Sequence, residues 1–109
     1  MKSKDKIIID KMIKYSENSI KYVKGLNLDS FIANELVLTY SVFALSQLGE
    51  LVSKLSEEVK TEYDGIPWVA MKNIRNRIVH DYDGVQYVIL WDTLINDIPP
   101  LIEQLRNIK

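Results

Sequence analysis

Apolar residues recur every three or four positions along most of the chain, the spacing that places them on one face of an α-helix. The first apolar stripe consists of Ile7, Ile8, Met12, Ile13, Ile20 and Val23. It predicts a first helix from about Asp5 to Lys24 that ends at Gly25. After the N-cap candidates Asp29 and Ser30, a proline-free stripe predicts one long second helix from Phe31 to about Lys60. Gly49 within it marks either a close helix contact or a kink.

The second half of the chain has the same helical spacing, divided by proline and glycine. Pro67 suits the first turn of a third helix, predicted from Trp68 to about Tyr82, which Asp83 and Gly84 end. A fourth helix is predicted from Val85 to Asn96. Pro99 and Pro100 either kink it or open a short last helix that ends near Ile108.

The fold class follows from this pattern. No segment alternates with a strand-like period over a useful length, so we expect an all-α, up-and-down bundle of about four to five helices. The 109 residues suit a single domain spanning 1–109. Trp68 and Trp91 are expected to build its core.

Composition excludes several kinds of site. The chain has no cysteine, which excludes disulfides, thiolate zinc sites and cysteine nucleophiles, and its one histidine, His80, excludes a multi-histidine metal site within one chain. The isolated glycines form no phosphate-binding loop, so we expect neither a metal nor a cofactor. No apolar run approaches the length of a membrane span and no signal peptide precedes the first helix, so we expect a cytoplasmic protein that contacts no membrane.

Charge is unevenly distributed although the net charge is only −1. Residues 1–24 carry seven lysines against three acids, residues 25–71 two lysines against seven acids, and residues 72–109 five charges of each sign. The lysine-rich start is either an ordinary solvated helix face or a surface that attracts phosphate.

The segment Arg75-Asn76-Arg77-Ile78-Val79-His80-Asp81-Tyr82 contains the most reactive set of side chains. On a helix that turns about 100° per residue, Asn76 and His80 lie within roughly 140° of Arg75, beside a core stripe formed by Met71, Ile74 and Ile78. Arginine binds phosphate through two parallel hydrogen bonds, and histidine exchanges protons near neutral pH. These groups suit cleavage of a phosphodiester.

One histidine is too few for RNA cleavage, which needs a base for the 2′-hydroxyl and an acid for the leaving oxygen. A two-fold dimer that joins two copies of the third helix would supply two of each group. The competing interpretation is that Arg75 pairs with an acid and His80 is an ordinary, partly buried residue.

The pattern Arg75-x4-His80-x-Tyr82 resembles the motif of the HepT-like branch of the HEPN superfamily, small helical ribonuclease toxins. The resemblance extends over nearly the whole chain, through Tyr22-x2-Gly25, Phe31, Leu48-Gly49-Glu50, Ile66-Pro67-Trp68, Trp91 and Asn96-Asp97-Ile98-Pro99. It implies a metal-independent endoribonuclease toxin that cleaves RNA at a composite site in a homodimer or a larger oligomer. The implied partner is a separately encoded nucleotidyltransferase antitoxin of the MntA type.

The resemblance also implies residue roles. Arg75 and His80 would be the catalytic pair, and Asn76 would orient the site. Tyr82 matches the tyrosine that the antitoxin adenylylates, whereas helix geometry alone would let its ring cap the core near Ile78. The alternative function is a non-catalytic HEPN module that binds RNA or nucleotides or serves in assembly.

Overall fold

The protein is all-α in the computed structural model, which describes residues 1–79 and 84–108 and gives only the helical backbone at 75, 78–79 and 84–86. The described residues contain no strand. The helices are α1 (Ser3–Val23), α2 (Leu28–Ile32), α3 (Glu35–Lys54), α4 (Glu57–Glu62), α5 (Trp68–Val79), α6 (Gly84–Asp92), a π-helical segment (Thr93–Asp97) and α7 (Ile98–Arg106). The predicted all-α bundle is confirmed.

Helix α3 lies at the centre of the bundle, packed against both α1 and α5, and α1 also packs against α7. The deepest side chains come from all four of these helices and from their connections. Fully enclosed members of this core include Met12, Phe31, Leu45, Leu48, Leu94 and Leu105. Burial of this apolar surface is the main force that holds the helices together.

By length and composition alone, α3 could cross a membrane, with a mean hydropathy of 1.4 over 18 residues. The expectation that no segment spans a membrane rested on uninterrupted apolar runs, which did not identify this helix. In the structure, 39% of that window is buried. Its buried face lies against α1 and α5, as expected for the core helix of a bundle.

The first predicted helix is confirmed to within two residues at its start and one at its end. Gly25 follows the C-cap residue Lys24 and has φ +84°. This left-handed conformation costs glycine little and disfavours residues with a Cβ atom. The chain can therefore turn sharply after α1 toward α2.

The prediction of one long second helix is wrong, because the chain forms α2, α3 and α4 instead. The breaks fall where polar side chains cap new helix starts. Asn34 accepts a hydrogen bond from the Val37 N–H at 3.1 Å, and Ser56 does the same for Val59 at 3.4 Å. The N-cap of α2 is Asn27, which forms a reciprocal capping box with Ser30. Gly49 is buried within an unbroken α3 and does not interrupt it.

The third predicted helix begins as expected at Trp68, and the part of it beyond Val79 lies outside the described residues. The predicted fourth and last helices are joined through the π-helical segment. Pro99 and Pro100 cannot donate to the carbonyls four residues earlier. The helix widens to π-helical geometry before the prolines, where the Ile98 N–H donates to the Thr93 carbonyl five residues back.

Both tryptophans contribute to the core as predicted. Trp68 is buried, and its indole N–H donates to the Tyr63 carbonyl at 3.0 Å. Trp91 is partly buried, with its ring centroid 5.0 Å from that of Phe31. These contacts tie the α4–α5 connection and α6 to the bundle.

A buried carboxylate connects the start of α1 to the start of α4. Asp5 on α1 is 2% exposed and accepts hydrogen bonds from the backbone N–H and the hydroxyl of Ser56, at 3.0 and 2.8 Å. The backbone hydrogen bond lowers the pKa of Asp5 most strongly; burial opposes this, while the Ser56 hydroxyl and the charges of Lys2 and Lys4 add to the lowering. Asp5 thus holds α1 against the start of α4.

We expect Asp5→Ala to lower the free energy of unfolding by about 2–3 kcal/mol, since a hydrogen bond to a charged group contributes about 1.5–3 kcal/mol. Asp10→Ala is the matched control, because Asp10 is exposed and only pairs with Lys6 at 3.5 Å. It should change stability by less than about 1 kcal/mol. Urea unfolding at pH 7 measures both variants.

The stabilisation by Asp5 should also depend on pH. Its pKa is lower in the folded than in the unfolded chain, where it is near 3.8. The contribution is therefore complete above that value and disappears as the pH falls through the folded pKa. The stability difference between wild type and Asp5→Ala should narrow below about pH 4. A constant difference from pH 7 to pH 3 would contradict this account.

Candidate functional site

Helix α5 carries the first half of the motif and is held by its apolar face. Met71 and Ile74 are 2% and 9% exposed and lie in the core. Asn76 and Arg77 are exposed. Packing of α5 against α3 therefore fixes which side of α5 faces solvent. The predicted core stripe is confirmed for Met71 and Ile74, the Ile78 side chain lies outside the described residues, and Asn76 is exposed.

The remaining predicted site residues are not placed by the structure. The Arg75 side chain, His80 and Tyr82 lie outside the described residues. Four residues, 80–83, connect the end of α5 to the start of α6. The proposed roles of these residues stay predictions, and Asn76 is the member of the set whose exposure is established.

Helix α5 is positively charged, a feature on which none of the sequence-based predictions rested. The helix contains Lys72, Arg75 and Arg77 and no acidic residue. Lys72 and Arg77 are exposed. Three cations on a helix that carries no acidic residue of its own attract phosphate groups. The net charge of residues 72–109 is zero because the acids that balance the cations of α5 lie after the helix.

A cavity of about 340 Å³ lies between α5 and the chain that runs from the π-helical segment into α7. Its walls include Met71, Ile74, Arg77, Asn96, Asp97 and Leu101. Met71, Ile74 and Leu101 make its floor apolar. The Arg77 guanidinium group and the Asp97 carboxylate belong to different walls. Arg77 belongs both to this cavity and to the motif segment, so the cavity borders the part of α5 that carries the segment.

A larger cavity, of about 660 Å³, lies between the start of α1 and the end of α7. Charged groups that line it already have partners, because Lys6 pairs with Asp10 and Arg106 with Glu17. None of its lining residues belongs to α5. Within the described ranges, no group of three or more histidine, aspartate or glutamate side chains is arranged to hold a metal ion. The cavity beside α5 is therefore the stronger candidate.

Residues 12–108 match the family model described as "Ribonuclease HepT-like". A candidate RNase from Caldanaerobacter subterraneus subsp. tengcongensis is 29% identical over 100 residues, which cover 92% of this chain and 89% of that protein. A candidate RNase from Methanocaldococcus jannaschii is 29% identical over 89 residues, 82% of this chain and 74% of that protein.

A protein from Thermococcus cleftensis named "Probable ribonuclease HepT" is 27% identical over 110 residues and is covered over its full length, with 98% of this chain aligned. No solved structure matches the chain significantly. The family match extends from the middle of α1 to the end of the described chain and includes every residue of the predicted site.

Proposed function

Because the chain belongs to the HepT-like ribonuclease family, we propose that it is a metal-independent endoribonuclease toxin, restrained by a nucleotidyltransferase antitoxin of the MntA type. The observation that carries this proposal is the intact Arg75-Asn76-x3-His80-x-Tyr82 set inside a family match over residues 12–108. The positive charge of α5, which contains three cations and no acidic residue, supports it, because an RNA substrate is a polyanion.

The proposed reaction uses the 2′-hydroxyl of RNA as the nucleophile. Its oxygen attacks the adjacent phosphorus, the bond from phosphorus to the 5′-oxygen breaks, and the products are a 2′,3′-cyclic phosphate and a 5′-hydroxyl. His80 transfers the protons, Arg75 neutralises the phosphate charge, and the exposed Asn76 amide orients the phosphate. The reaction is balanced without an oxidant, a reductant or a metal ion.

We place the active site between two copies of α5 in a homodimer. Two copies supply a second His80, so one imidazole can act as base while the other acts as acid. Each copy of α5 carries three cations, and those that face the partner helix repel its cations in the absence of an anion. A phosphate backbone between the helices relieves this repulsion, so the charge that weakens the free dimer favours RNA in its cleft.

We further propose that the antitoxin silences the enzyme by adenylylating Tyr82. The modification adds bulk and negative charge two residues from His80. The added phosphate would repel RNA and would compete with it for the guanidinium group of Arg75.

The test uses freshly purified protein whose intact mass shows no modification. We expect cleavage of single-stranded RNA with 2′,3′-cyclic phosphate ends, no effect of a chelator, and no cleavage of a DNA strand of the same sequence. Light scattering of the same preparation should show a dimer. Dependence on magnesium, or full activity of a monomer, would contradict the proposed mechanism. Absence of any RNA cleavage would favour the non-catalytic binding or assembly module.

A further inference from the structure

The cavity between α5 and the π-helical segment combines three kinds of surface. Its apolar floor includes Met71, Ile74 and Leu101, which are 2%, 9% and 3% exposed. The exposed Arg77 contributes a permanent positive charge, and Asp97 contributes a carboxylate from the other wall. Its volume of about 340 Å³ is at the lower end of the range for small-ligand sites, roughly 300–1,000 Å³. The size suits one nucleotide.

The wall formed by the π-helical segment is rich in hydrogen-bond acceptors. The Asp97 carboxylate can only accept when ionised. Asn96 donates from its amide nitrogen to Asp92 at 2.6 Å, so its amide oxygen stays available to accept. A ligand that fits this wall must present donors.

Among the RNA bases, guanine matches this wall best. Its Watson–Crick edge presents a ring N–H beside an amino group, two adjacent donors that match the two oxygens of a carboxylate. Adenine and cytosine present a ring acceptor beside the amino group, and uracil presents its one ring N–H between two carbonyl oxygens, so each places an acceptor against the carboxylate. An apolar floor accepts the flat face of a base, and single-stranded RNA is commonly recognised through exposed Watson–Crick edges.

We propose that this cavity binds a guanine base of the RNA substrate, with Asp97 reading the base and Arg77 holding the attached phosphate. This inference rests on the proposed ribonuclease function and adds a base preference to it. Arg77 directly follows Asn76 on α5. Arg77 belongs to the motif segment, so we expect cleavage next to a guanosine that is held in the cavity.

The first arm of the test measures nucleotide binding without catalysis. Unmodified wild-type protein is titrated by calorimetry with the 3′-monophosphates of guanosine, adenosine and cytidine. We expect guanosine 3′-monophosphate to bind about tenfold to a hundredfold more tightly, the discrimination typical of a bidentate base contact. Asp97→Asn should abolish this preference, because its amide places a donor against the donors of guanine. Asp29→Asn, on the exposed surface of α2, should leave it unchanged.

The second arm fills the cavity. Ala70 is exposed and lines it, so Ala70→Trp should occlude it and weaken binding of guanosine 3′-monophosphate at least tenfold. Val69→Trp is the matched control, because Val69 is the neighbouring residue on α5, is 73% exposed and does not line the cavity.

The third arm measures base preference in catalysis. Cleavage sites of the wild-type protein are mapped on an RNA that contains every dinucleotide step.

The outcomes separate the inference from the proposed function. Wild-type cleavage without base preference, or equal binding of the three monophosphates, would overturn the guanine site and leave the ribonuclease proposal intact. Guanine-selective binding that Asp97→Asn and Ala70→Trp remove would support the site even if no RNA were cleaved. Loss of antitoxin binding in Ala70→Trp, with no nucleotide bound by wild type, would make the cavity a protein contact and refute the inference.

Discussion

Replacement of His80 by alanine is expected to lower the rate of RNA cleavage by about 10²–10⁴-fold, the usual contribution of a positioned proton-transfer group. The chain has no second histidine that could take over this role. Wild-type activity should change with pH, because His80 must exchange protons during the reaction. The residual activity of His80→Ala should lack that dependence. Rates measured on one RNA from pH 5 to pH 9 give both results.

Substitutions of Arg75 test whether the same site needs a planar guanidinium group or only a positive charge. Arg75→Lys keeps the positive charge but loses the planar pair of donors, so it should restore little of the activity that Arg75→Ala loses. Arg106→Lys is the matched control, since Arg106 lies on α7 in an ion pair with Glu17. Wild-type cleavage by His80→Ala with an unchanged pH profile would exclude the proposed proton transfer. Full activity of Arg75→Lys would mean that charge alone suffices.

The helix content and core face of this fold were readable from the sequence, because apolar spacing reports directly on which side of a helix is buried. Met71 and Ile74 illustrate this: their spacing alone placed them in the core, and the structure confirms it. The breaks after α2 and α3 were not readable in the same way. Asn34 and Ser56 end the apolar stripe only by capping the next helix, and both residue types also occur within helices.

The candidate site was only partly predictable. Sequence reasoning identified the exposed Asn76 as a site candidate. It missed the cavity beside Arg77, because Asp97 lies 20 positions later and reaches that cavity only through the packing of α5 against the following helices. Pro99 and Pro100 were recognised as helix breakers, yet spacing gave two outcomes for them. The structure confirms the second, because both prolines lie in the first turn of the short last helix α7, which follows the π-helical segment.

Replacement of Tyr82 by phenylalanine is expected to separate cleavage from its control by the antitoxin. Phenylalanine keeps the aromatic ring and removes the oxygen that would accept the nucleotide, so Tyr82→Phe should fold and retain RNA cleavage. Incubation with the nucleotidyltransferase partner and ATP should then silence wild type completely and leave Tyr82→Phe active. Intact masses before and after incubation should show one or more added adenylyl groups on wild type alone.

An exposed tyrosine elsewhere provides the control for Tyr82→Phe. Tyr22 on α1 is 45% exposed and lies far along the chain from the motif. Tyr22→Phe should be modified and silenced like wild type, which shows that the partner selects a position and not merely an accessible phenol. Equal gain of mass by wild type and Tyr82→Phe would place the modification on another residue. Silencing of both proteins without any gain of mass would mean that the antitoxin acts by binding alone, and that the added charge beside His80 plays no part in control.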